Sequence, residues 1–83
     1  GKSIKYPKMA SEADISGIVY MTFVVGKDGS IKDVKVMRGI GAGCDEEAIR
    51  AVKNMPKWKP GKQRGRAVEV QYNLPVRFTL SRG

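Results

Sequence analysis

Eighty-three residues make one domain, because a chain this short cannot bury two separate cores. Hydrophobic residues at 41% in patterned segments beside 29% charged ones exclude a disordered chain, and no apolar run approaches the ~20 residues of a membrane-spanning helix. Sixteen Lys and Arg against eight Asp and Glu give a formal charge of +8, which favours anionic partners without choosing among nucleic acid, lipid and acidic peptide.

Residues 1–6 read as extended, and Pro7 sets a backbone angle suited to the first turn of a helix over residues 8–14. Gly17 ends that segment. Residues 18–25 follow as a strand on which Val19, Met21, Phe23 and Val25 share one apolar face. The turn Gly26, Lys27, Asp28, Gly29 leads into residues 31–37, where Val34 and Val36 alternate with charged neighbours, so the pair reads as an antiparallel hairpin.

Gly39, Gly41 and Gly43 then connect to a helix opened by Asp45, Glu46 and Glu47, whose charges suit its positive end. Cys44, Ala48, Val52 and Met55 recur at helical spacing, and Pro56 stops the helix. A basic loop over residues 57–66 leads into one long strand in which Val68, Val70, Tyr72, Leu74, Val76 and Phe78 alternate with polar residues. The order α-β-β-α-β gives an α+β domain, a small antiparallel sheet of about three strands with two helices on one face.

Catalytic and metal chemistry lack their usual residues. The chain has no histidine, and the single cysteine, Cys44, can form neither an internal disulfide nor a zinc cluster. Cys44 as a nucleophile would need a base, and its apolar helical face suits packing instead. Asp45, Glu46 and Glu47 point in different directions from a helix, which suits its dipole better than a hard cation. The glycines before that helix lack the Gly-Lys-Ser or Gly-Lys-Thr of a phosphate cradle. The residues therefore point to a non-enzymatic module with neither cofactor nor metal.

Pro75 is the irregularity in the last strand. Proline has no amide hydrogen to give a neighbouring strand, so it belongs at a sheet edge, and Glu69, Gln71, Asn73 and Pro75 share the incompletely paired side. Two readings fit: Pro75, Glu69 and Arg77 protect the edge from aggregation, or the edge accepts an extended peptide as an added strand. The basic loop is likewise either a solvated face or an electrostatic guide, and Trp58 within it either covers the end of the core or stacks on a nucleobase.

The motifs together resemble the TonB C-terminal domain family over nearly the whole chain. They are Tyr6-Pro7 with Ala10, Asp28-Gly29, Val34-Lys35-Val36, Asp45-Glu46-Glu47-Ala48, then Met55-Pro56-Lys57-Trp58-Lys59-Pro60-Gly61-Lys62 and Leu74-Pro75-Val76-Arg77-Phe78. The resemblance implies a periplasmic domain ending a longer protein with an inner-membrane anchor and a proline-rich spacer, and Gly1 in place of a methionine agrees with a piece of a longer chain. It implies coupling to proton-driven motor proteins of the ExbB/ExbD kind and pairing of the last strand with the TonB box of outer-membrane receptors. Carried onto this sequence, the pairing residues are Ala67, Val68, Glu69, Val70, Gln71, Tyr72 and Asn73, headed by Arg66, and the flank is Ser3, Ile4, Lys5, Tyr6 and Pro7. An open edge can also exchange between two copies to give a homodimer. A similar domain fused to an envelope signalling protein and a small nucleic-acid-binding domain stand as the alternatives.

Overall fold

The computed structural model describes residues 4–80 and contains helices α1 (Lys8–Glu12) and α2 (Cys44–Lys53). Its strands are β1 (Gly17–Val25), β2 (Ile31–Arg38), β3 (Gly61–Gln63), β4 (Arg66–Val68) and β5 (Val70–Phe78). A three-stranded antiparallel sheet in the order β2-β1-β5 carries both helices against one face, and β3 with β4 forms a separate two-stranded ribbon. The α+β architecture expected from the sequence is the one found.

Alternation along β1 sends Val19, Met21, Phe23 and Val25 to the helix side, where each is completely buried. Ala10 of α1, Cys44, Ala48 and Val52 of α2, and Val76 and Phe78 of β5 close the core around them. Burying a side chain as large as Phe23 or Phe78 stabilises by about 1.5–3 kcal/mol, a substantial share of what a domain this small has. The opposite face is bare among the described residues and carries the exposed Tyr20 and Met37. Thr22, buried on that face, accepts a hydrogen bond from the Gln71 side-chain amide at 2.8 Å.

Helix α1 is shorter than the expected 8–14. Pro7 stands at its N-cap with extended backbone, and Asp14 just beyond the helix takes a left-handed conformation. In α2 the left-handed Gly43 is the N-cap, and Asp45 reaches back to accept the amides of Ile40 at 2.9 Å and Gly41 at 3.3 Å. The carboxylates of Asp45 and Glu47 diverge, since Glu47 turns instead to Arg50.

The expected basic loop and single long last strand need correction. Residues 61–63 and 66–68 pair as a ribbon, Gly61 opposite Val68 and Gln63 opposite Arg66, around a two-residue turn in which Arg64 and Gly65 both have positive φ. That is the turn whose twist suits a tight hairpin. Glu69 interrupts the chain between β4 and β5, so Arg66, Ala67 and Val68 do not continue the sheet strand. Strand β2 departs from regular pairing as well, because bulges lie opposite the stretches Tyr20/Met21 and Thr22/Val24, and Asp33 within it has φ of 54°.

The β1–β2 connection is clasped by the chain that follows α2. Gly29 has φ of 85°, its carbonyl accepts the Trp58 amide at 2.9 Å, and a Cβ on it would lie 2.2 Å from the Trp58 carbonyl oxygen. Gly65 has a similar φ of 77° and open space around it. Gly65→Ala should therefore cost only the backbone strain, about 1 kcal/mol, and Gly29→Ala about 2 kcal/mol or more as the clasp is pushed apart. Thermal or urea unfolding of the two variants side by side checks the difference, and equal losses would contradict the clasp.

Candidate functional site

Strand β5 runs antiparallel to β1 through nine unbroken residue pairs, from Gly17 with Phe78 to Val25 with Val70. Its other side has no partner strand among the described residues. Pro75 stands opposite Tyr20 inside this register, without a bulge. A proline fits such a ladder only where its nitrogen faces away from the neighbour, so alternation turns the backbone groups of Gln71, Asn73, Pro75 and Arg77 outward. The side chains of these four residues are exposed on the bare face, while Leu74 and Val76 between them face the helices.

Along this edge, on the helix side, runs an open groove of about 430 Å³. Ala51, Val52 and Met55 form its wall on and just after α2, Leu74 and Val76 form the wall on β5, and Ile4 lies at its rim. Four consecutive β5 residues, 74 to 77, border it, which places the space against the strand's backbone edge rather than over one face alone.

The expected flank is anchored to the domain. The Lys5 amide donates to Glu47 Oε2 at 2.6 Å, the Tyr6 hydroxyl donates to the Ile15 carbonyl, and the Tyr6 ring meets Phe78 edge-on at 5.7 Å. Pro7 packs beside Gly43. Tyr6 and Pro7 thus hold the N-terminal segment in place, Ile4 borders the groove, and Ser3 lies outside the described residues. Of the other expected residues, Glu69 pairs with Lys32 across the bare face, and Gln71 is bonded to Thr22. Tyr72 packs against the core, Val70 is half-buried beside Gly61, and Asn73 is exposed on the edge strand. The groove was beyond the reach of sequence spacing, because α2 and β5 meet only in the fold.

Trp58 lies against Phe23 at 5.2 Å and Tyr72 at 5.0 Å between ring centroids, so it covers the end of the core. The indole that could stack on a nucleobase is thereby engaged with Phe23 and Tyr72. The cations Lys27, Arg64 and Arg66 line a shallow depression beside the ribbon, at the end of the sheet where β5 begins. Cys44 is completely buried, and burial together with Asp45 and Glu46 pushes its thiol pKa up, so it stays protonated and serves packing.

A model of the Gram-negative bacterial TonB protein C-terminal family matches residues 2–80. The chain belongs to the TonB C-terminal family. It is 29% identical over 77 residues to Protein TonB of Helicobacter pylori, a match covering 92% of this chain and 26% of that protein, so the domain spans about a quarter of its relative. The solution structure of the Helicobacter pylori TonB C-terminal domain superposes with a TM-score of 0.72 at 26% identity, covering 99% of this chain and 86% of that one. The Pseudomonas aeruginosa TonB C-terminal domain gives 0.70 at 24% identity, covering 96% and 81%, and shares the fold. The TonB-type sheet, with both helices on one face, is thus common to this chain and these domains.

One charge cluster in this TonB-type domain fixes the flank of the groove. Arg50 bonds both oxygens of Glu47, at 2.8 and 2.6 Å, and with the Lys5 amide holds the Glu47 pKa down at about 2. A depressed carboxylate pKa stabilises the fold above the unfolded value of about 4.5 and loses that effect as pH falls toward about 2. Glu47→Gln should lower the melting temperature by a few degrees at pH 7, and its gap from the parent should close through that acid window. Melting curves from pH 7 to pH 2 check it; a gap independent of pH would assign the loss to packing instead.

Proposed function

We propose that this domain is the receptor-engaging end of a TonB-type energy transducer, which takes the TonB box of an outer-membrane receptor as a fourth strand along β5. The single observation carrying the reading is the outer edge of β5, unpaired among the described residues, guarded by Pro75 yet still presenting the backbone of Gln71, Asn73 and Arg77. Backbone hydrogen bonds to such an edge supply affinity, and the side chains along it supply selectivity. In this role the domain does no covalent chemistry.

The domain would act in the periplasm, at the end of a longer chain anchored in the inner membrane and driven by motor proteins of the ExbB/ExbD kind. Tension arriving through the N-terminal segment enters a body in which Tyr6 is tied to Ile15 and Lys5 to Glu47. It leaves through β5, which the β1 ladder holds along its full length. On this reading the contact lies on β5 itself, with Gln71 and Asn73 of the expected residues 67–73 presenting their backbone and the ribbon residues Arg66, Ala67 and Val68 beside it. The same edge is open to the β5 of a second copy, so a homodimer by strand exchange would compete with the receptor peptide.

Asn73→Pro removes an outward amide without touching the β1 ladder. The variant should keep its dispersed amide spectrum and lose about tenfold or more in affinity for a TonB-box peptide, read by NMR titration. Undiminished binding would sink strand addition at this edge. A parallel titration with short single-stranded DNA, if it shifted Lys62, Arg64 and Arg66 while the peptide left β5 silent, would favour the nucleic-acid reading instead.

A further inference from the structure

We propose that the groove between α2 and β5 is a side-chain subsite, which selects an apolar residue at alternate positions of the strand added to β5. The inference rests on the strand-addition reading and deepens it: the edge would bind a backbone of almost any sequence, and the groove is what makes the choice.

A strand laid beside β5 sits about 4.8 Å from it, and its side chains alternate between the two faces of the enlarged sheet. On the bare face its neighbours are the exposed Gln71, Asn73, Pro75 and Arg77, which tolerate polar groups in open water. On the helix face its neighbours are Leu74 and Val76, with Ala51, Val52 and Met55 across the groove and Ile4 also lining it. Leu74 and Met55 are only half-buried although they pack against the core. The wall toward α2 includes the small Ala51, which leaves room beside the β5 edge. A branched aliphatic side chain entering from the added strand would cover Leu74 and Met55 together. A carboxylate or amide placed there would lose water and find no partner among the apolar walls.

The location of the groove favours this occupant over a free small molecule. Its border includes Pro75 and Arg77 as well as Leu74 and Val76, so it opens along the backbone edge that has no partner among the described residues, where an added strand must pass. Pairing and side-chain insertion are then parts of one contact.

The test is a substitution scan of a short synthetic TonB-box peptide, each position replaced in turn by Asp and titrated against the domain by NMR. Affinity should fall about tenfold or more at every second position and about twofold or less between them. The sensitive positions should be those whose side chains give nuclear Overhauser contacts to the Met55 methyl group. As a second arm, Met55→Glu should weaken the parent peptide and restore binding to a peptide carrying Lys at a sensitive position. A scan without period-two sensitivity, or one whose sensitive side chains lie on the Gln71 face, overturns the subsite while leaving strand addition standing. Failure of every peptide to bind would remove strand addition itself, and the subsite with it.

Discussion

The domain depends on β1 being completely used. It is the strand of the main sheet with a partner on each side, β2 on one and β5 on the other, and its helix-facing side chains are all withdrawn from water. Among the described residues β1 gives four completely buried side chains, while β5 adds Val76 and Phe78, α1 one buried alanine and α2 a stripe of mostly small residues. The other elements are arranged by what β1 offers them. Strand β2 is attached through the hairpin and deformed by bulges, β5 is attached without deformation, and the helices lie over the apolar stripe.

That arrangement leaves two edges of unequal quality. Irregular backbone at Asp33 and opposite Tyr20/Met21 breaks the β2 side of the sheet, which discourages further pairing there. The β5 side is straight and regular, and its protection is a single proline and alternating polar residues. A sheet with one blunted edge and one lightly guarded edge directs any added strand to the second. The apolar groove lies beside that one too, along residues 74 to 77.

Much of this architecture could be read from residue pattern alone. The apolar alternation of Val19, Met21, Phe23 and Val25 marked the central strand, Asp28-Gly29 its turn, the acidic run the start of α2, and Pro75 the edge. Each is a local signal with a local cause. The ribbon escaped because its strands are three residues long and carry Lys62, Gln63 and Arg66 without apolar alternation, so only Arg64-Gly65 at its turn betrayed it. The pairing of Lys32 with Glu69 and of Gln71 with Thr22, and the groove itself, join residues far apart in the chain. Their existence depends on the register of β5 against β1, which composition does not encode. The ribbon also explains why the expected last strand includes Val68: the alternation of Val68 with Val70 passes through Glu69 without revealing the break.

The unbroken β1–β5 ladder also gives the domain a mechanical direction. Load applied along the strand axis stretches all nine residue pairs in parallel, so they must yield together. Load applied across the sheet opens the pairs one after another from an end, each bearing the whole strain in its turn. The same hydrogen bonds therefore make a body that resists shear and yields to peeling, and the line along which it is pulled sets its strength as much as the number of contacts does.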